Sequence, residues 1–187
     1  LIIESTASNS MADVLNFQTG LRVEETCSNC GVPQIRINGL EGQYTQILMD
    51  SRPIFSSLAS VYGLEQLPAG MVDRIEVIRG GGSALYGANA IAGVVNIITK
   101  EPTRNFFNVS NSSAFTEKGT YDINTNLNAS VVSENQKAGI YLFGVQRNRQ
   151  QYDRDDDGFS DIPHLNSTTA GFRSFFKTSD YSKLTAE

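Results

Sequence analysis

The chain has 187 residues, 15 basic and 20 acidic, for a net charge of −5, and 40% of it is apolar. That is enough apolar material for a packed core, which excludes a disordered chain, and the acidic balance lacks the footprint of a general nucleic-acid binder. No run approaches the ~18 continuous apolar residues of a membrane helix, and a start at Leu1 with no initiator Met and no leader reads as a piece of a processed or trimmed protein.

The first predicted element is a short helix in "NSMADVLNFQTG". Ser10 can cap it, Asp13 approximates the partner of a capping box, and Gly20 ends it. Met11, Val14, Leu15 and Phe17 form its apolar stripe, which signals a core face. Cys27-Ser28-Asn29-Cys30 follows between two loop-like flanks, whereas a redox motif belongs at a helix start after a strand. Zinc would need two further ligands, and the only histidine is His164. A structural disulfide between Cys27 and Cys30 is expected, with two free thiols as the alternative.

In "PQIRINGLEGQYTQILMDSRPIF" Ile35 and Ile37 alternate with polar neighbours as a half-buried strand, Asn38-Gly39 marks a turn, and Gln46 to Met49 resumes a strand; the two runs read as a pair. "SSLASVYGLEQLP" reads as an irregular loop leading to a short helix near Met71 and then a strand from Ile75. Residues 1 to 101 therefore read as a small α+β domain with glycine hinges.

"IEVIRGGGSALYGANAIAGVVNIITK" places a glycine-rich segment between two strand-like runs. A dinucleotide fingerprint fails because Leu85 stands where the third glycine belongs. A P-loop fails because Gly87 is followed by Ala88-Asn89 instead of Lys and a hydroxyl. What remains is backbone freedom for a tight turn.

After Pro102 the pattern changes. "YDINTNLNASV" sets Tyr121, Ile123, Thr125, Leu127, Ala129 and Val131 on one face and Asp122, Asn124, Asn126, Asn128 and Ser130 on the other. "NFFNVSNSSAFT", "KAGIYLFGVQRN" and "TAGFRSFFKTSD" have similar length, with turns between them. Such strands fit an outer-membrane barrel or one sheet of a soluble sandwich equally well.

"YDRDDDGFSD" puts Asp153, Asp155, Asp157 and Asp161 at positions 1, 3, 5 and 9 of an EF-hand-like loop with Gly158 at position 6, an arrangement of hard oxygen ligands suited to Ca²⁺. Position 12 is His164 instead of a bidentate Glu, so the alternative is a solvated acidic loop. Enzyme readings find no support: Gly81-Gly82-Ser83-Ala84-Leu85 fails the nucleophile elbow at its last place. The sequons at Asn108, Asn111, Asn128 and Asn166 read as Asn and Ser on polar strand faces.

Taken together, "MADVLNFQTGLRV", "IRINGLEGQYTQILMDSRPIF", "DRIEVIRGGGSALYGANAIAGVVNIITKEP" and the amphipathic strands resemble the TonB-dependent outer-membrane receptors, in order and over nearly the whole chain. The resemblance implies a fold of two parts: an α+β plug domain with a short mixed sheet and small helices over residues 1–102, then antiparallel transmembrane strands over 103–187, about four of the 22 strands of a barrel. It implies a bacterial outer-membrane location, with the plug inside the barrel and open to the periplasm. The implied function is active uptake of a scarce nutrient such as haem, a ferric siderophore or cobalamin, with no catalysis; the alternative is a soluble calcium-binding or adhesive β-module. Implied partners are the TonB complex, whose coupling segment is expected upstream of Leu1, outer-membrane lipid, the chelate, and a surface lipoprotein.

By the same resemblance the two apical plug loops supply ligand contacts: Arg52, Phe55, Tyr62, Tyr86 and Asn89 offer charge, stacking and hydrogen bonds, or else line the barrel. Glu76 and Arg79 fall where the plug meets the barrel wall, or form an ordinary cross-strand pair. The acidic loop would be extracellular, like the Asp-rich calcium loops of cobalamin receptors. Ser51 stands where the family usually has Gly after "LMD", which leaves that turn's type open.

Overall fold

The structure, a computed structural model, describes residues 11–25, 33–54 and 68–187. It divides into two compact units, Leu1–Thr99 with Gln151–Pro163, and Lys100–Gln150 with His164–Glu187. The expected Ser10 cap, the Cys27–Cys30 disulfide, and Phe55 and Tyr62 lie outside the described residues.

In the first unit, helix α1 (Met11–Asn16) buries Met11, Ala12, Val14 and Leu15. Phe17 was expected in that stripe but falls just beyond the last helical turn and is 60% exposed. Strand β1 (Leu21–Glu25) pairs antiparallel with β2 (Pro33–Ile37), setting Leu21 opposite Ile37 and Val23 opposite Ile35. The expected pairing of residues 35–37 with 46–49 does not form. Asn38 and Gly39 take positive φ, Leu40 bridges back to Ile37, and a 3-10 turn at Gly42–Tyr44 redirects the chain.

Strand β3 (Thr45–Met49) instead joins a mixed sheet with β4 (Arg52–Pro53), β5 (Val72–Arg79) and β6 (Gly93–Thr99), in the order β4-β3-β6-β5. The β3 to β6 pairing is parallel and the others antiparallel. β6 is central and covered on both faces, with Val94, Val95 and Ile97 at 1% exposure or less. That is why its sequence is a continuous apolar run instead of an alternating one. The helix expected near Met71 is a 3-10 turn, Ala69–Met71.

The β3 to β4 connection is a two-residue loop, Asp50-Ser51, with φ of 48° and 66°. Two left-handed residues in such a loop define the type I′ turn that matches strand twist. Ser51 therefore occupies a backbone position that favours glycine.

The second unit is an antiparallel meander of β7 (Phe106–Phe115), β8 (Tyr121–Val132), β9 (Ala138–Arg149), β10 (Leu165–Ser179) and β11 (Ser182–Ala186). Sequence predicted about four strands. The fifth is short and follows a tight turn and a register shift between Lys177 and Ser179, so it carries no alternation long enough to read.

Pairing keeps like faces together across this sheet. Val109 lies opposite Leu127, Phe107 opposite Ala129, Phe172 opposite Leu142 and Phe176 opposite Leu184. This apolar face is the exposed one: Phe107 is 70%, Val131 61% and Leu127 41% exposed. On β8 and β9 the opposite face is the buried one, with Asn124, Ser130 and Arg147 all at 8% or less beside Tyr141 at 1%. There Arg147 grips Asp122 through two hydrogen bonds of 3.0 and 2.7 Å, and the buried Tyr141 hydroxyl donates to Asn128 at 2.7 Å. Gly171 accommodates the Phe143 ring, which a Cβ would meet at 2.4 Å.

Candidate functional site

The glycine-rich segment is the end of the β5–β6 hairpin. Arg79 pairs with Gly93, and pairing continues outward through Gly80 N–H to Ala92 O at 2.9 Å and Gly82 N–H to Ala90 O at 2.8 Å. One helical turn, α2 (Ser83–Tyr86), closes the tip. Glycine is called for at several places for different reasons, and Gly80 takes φ 93° as the chain leaves β5. Gly87 takes φ 97° to leave the helical turn, and at Gly93 a Cβ would lie 2.3 Å from the Ile78 carbonyl.

This hairpin end is rooted and presents a small surface. The root is the buried trio Leu48, Ala90 and Val94, against which Tyr86 packs. Tyr86 was expected to touch ligand; its described contact is this core, which fixes the loop. Asn89 is exposed, and so is Leu85, at 84%. Leu85 is not among the expected contacts, although an apolar residue in a glycine-flanked turn with no helix long enough to bury it is a signal for an exposed contact. Arg52 is exposed on β4.

At the end of β6 away from the hairpin lies a polar lock. Asp50 accepts the Thr99 N–H at 3.0 Å and the Thr99 hydroxyl at 2.6 Å. Asn96 Oδ1 accepts the Ser51 N–H at 2.9 Å, and its amide donates to Ser51 Oγ at 3.3 Å and Glu76 Oε2 at 3.2 Å. These bonds tie the left-handed turn to the central strand and offset its strain. Asn96 was not foreseen; a lone Asn inside "GVVNIIT" was the available sign.

Glu76 and Arg79, expected at a plug-to-barrel boundary, are engaged inside the first unit. Glu76 also accepts from Arg74 Nε at 2.9 Å, and Arg79 donates to the Thr19 carbonyl beside Gly20. Hydrogen bonds to Glu76 and then Asp73 hold the exposed Arg74 guanidinium above its ordinary pKa.

In the acidic loop, carboxylate oxygens of Asp153, Asp155 and Asp161 lie within 4.8 Å of one another. Backbone amides hold two of them: Asp153 accepts from Asp156 and Gly158 at 2.8 and 3.1 Å, and Asp161 from Arg154 at 2.8 Å. Asp157, expected as a fourth ligand, is not in that group; its Oδ1 accepts the Phe159 N–H at 2.8 Å. The donor set is all oxygen, which suits a hard cation.

The family model described as TonB-dependent Receptor Plug Domain matches residues 2–94. The chain is 36% identical over 97 residues to "Vitamin B12 transporter BtuB" of Vibrio vulnificus (strain CMCP6), covering 52% of this chain and 16% of that protein. A Vibrio cholerae (O395) protein of the same name is 31% identical over 98 residues, with the same coverage. The chain thus spans only 16% of the curated relatives it matches.

Among solved structures, the siderophore receptor PirA from Acinetobacter baumannii superposes with a TM-score of 0.74 at 24% identity, covering 96% of this chain and 29% of that one. A variant of the ferric enterobactin receptor PfeA from Pseudomonas aeruginosa, in complex with enterobactin, gives 0.75 at 21%, covering 99% and 31%. At these identities the likeness concerns the fold.

Proposed function

The chain belongs, through residues 2–94, to the TonB-dependent receptor plug family, and on that premise we propose that it is the plug and opening wall of a bacterial outer-membrane receptor for active uptake of a metal chelate. The observation that carries this reading is the sheet after the plug, where β8 and β9 expose Leu127, Val131, Ile140 and Leu142 on one face and bury Asn124, Ser130 and Arg147 on the other. A soluble sheet does the reverse, whereas a barrel wall turns apolar residues to lipid and polar ones to the lumen. Five open strands do not close a barrel by themselves; on this reading they are one stretch of the 22-stranded wall that the resemblance implies.

The chelate meets the hairpin end, with Leu85 and Asn89 as contacts and Tyr86 on the same loop; Arg52, which pairs with Met49 at the end of the sheet away from this hairpin, and Phe55 and Tyr62, outside the described residues, stay contacts implied by the resemblance alone. Ligand binding shifts the plug, and TonB, driven by the inner-membrane proton gradient, opens a path; no bond of the cargo is broken. Among haem, ferric siderophores and cobalamin, cobalamin is the first to test, because the curated relatives at 36% and 31% identity carry that activity in their names. Asp153, Asp155 and Asp161 are proposed to hold Ca²⁺, which would neutralise and stiffen their loop.

The experiment is equilibrium binding of cyanocobalamin, haemin and a ferric-siderophore panel to the purified receptor that carries this chain, each with Ca²⁺ and with a chelator. Saturable binding of one ligand supports the reading, and weakening on chelation gives the acidic loop its role. Failure of every ligand, with Ca²⁺ bound by the isolated loop alone, would favour the calcium-binding or adhesive module.

A further inference from the structure

We propose that Glu101 and Pro102 form a built anchor that fixes the chain leaving β6 to the inward face of the β9–β11 wall, so that displacement of the plug stops at Thr99. The inference rests on the receptor reading for its purpose but on separate observations for its existence.

Six residues, 100–105, separate the end of β6 from the start of β7, and two of them are held from several sides. Both Glu101 oxygens accept from Lys183 Nζ, at 2.9 and 2.7 Å, and Arg173 lies 3.6 Å from Oε1. Lys183 is itself placed 5.3 Å from the Phe175 ring centroid, with Lys177 at 5.9 Å. Arg173, Phe175 and Lys183 share one sheet face by register, since Phe175 pairs with Thr185 and Lys177 with Lys183. It is the same face that buries Tyr141, the partner of Arg173.

The next residue is locked differently. Pro102 is buried, and lacking an N–H it leaves no donor to satisfy there. It lies against Gly139, where a Cβ would meet Pro102 at 3.2 Å and the Phe175 ring at 2.6 Å. Gly139 is thus the floor of a notch that any side chain would fill. An ion-pair cluster beside a shape-fitted proline describes a seat, which a flexible tether does not need. A freed six-residue segment would instead wander over roughly 13 Å.

The test uses the whole receptor with Cys27→Ser and Cys30→Ser, spin-labelled at Thr103→Cys and Glu134→Cys, both exposed positions, with distances read by pulsed EPR. The anchor gives one narrow distribution. Glu101→Lys is expected to broaden it by up to roughly 8 Å, the reach of the two residues from Thr103 to Asn105, which stays bonded to the Val132 N–H, and Glu101→Lys with Lys183→Glu to narrow it again. If Glu101→Lys does not assemble, Glu101→Gln and molar salt on the unsubstituted ion pair give the same reading. A distribution equally narrow in every variant, or one the charge swap fails to restore, overturns the anchor. No ligand or energy source enters this measurement, so failed uptake alongside a narrow distribution would count against the receptor reading and leave the anchor standing.

Discussion

Substitution of Asp50 separates what the side chain contributes to the plug lock from what the backbone costs. Asp50 accepts two hydrogen bonds from Thr99 while sitting at φ 48°. Bonds to a charged acceptor are worth about 1.5–3 kcal/mol each, and the low end applies because Asp50 is only half-buried. Asp50→Gly removes both bonds, and its relief of the left-handed residue is offset by the extra backbone entropy glycine loses on folding, a loss of about 3 kcal/mol. Asp50→Ala adds about 1 kcal/mol of left-handed strain, for a total near 4. Asp50→Asn keeps an acceptor and tolerates the turn, and costs about 1 kcal/mol.

Hydrogen exchange of the Thr99 amide in the whole receptor reads these as local opening. At 1.4 kcal/mol per tenfold, exchange should accelerate by about fivefold for Asn, a hundredfold for Gly and several hundredfold for Ala. Equal acceleration by Gly and Ala would refute the strain, and an unmoved Thr99 amide would refute the lock.

Ser51→Gly should be neutral or stabilising by up to about 1 kcal/mol in thermal unfolding, since relief at φ 66° outweighs a 3.3 Å contact to Asn96. Gly93→Ala should destabilise the β5–β6 hairpin by more than about 3 kcal/mol, seen as lost protection in its amides, because its Cβ would lie 2.3 Å from a carbonyl. Arg147→Met strands Asp122 on the buried face and should cost about 3–5 kcal/mol in denaturant midpoint analysis. Leu127→Lys should lower assembly into vesicles by about 2–4 kcal/mol, whereas Asn126→Lys, on the other face, should assemble normally.

The parts legible in the sequence were those set by strict periodicity. Alternation from Tyr121 to Val131 gave both faces of β8, because a period of two leaves no freedom once one residue is placed. The α1 stripe was read correctly up to Leu15 and failed at Phe17, because the helix stops one residue short of it. Partnering in the plug was not legible: Ile35 and Gln46 belong to neighbouring strands that look like a hairpin, yet β3 takes its partner from residues 93–97. Long-range parallel pairing leaves no local mark. The candidate site was legible in its loops but not in what holds them. Tyr86 shows a ring without showing its packing, and the Asp50–Thr99 bonds span 49 residues.

The membrane wall is tested most directly by spin labels placed singly at residues 123 to 131 of the receptor in lipid bilayers, with collision by oxygen and by a polar nickel chelate measured at each. Positions 123, 125, 127, 129 and 131 should favour oxygen and positions 124, 126, 128 and 130 should not, with a period of two throughout. The opposite phase, or high nickel accessibility along the face of Leu127 and Val131, would mean that this face meets water or protein and that β8 is not part of a membrane wall.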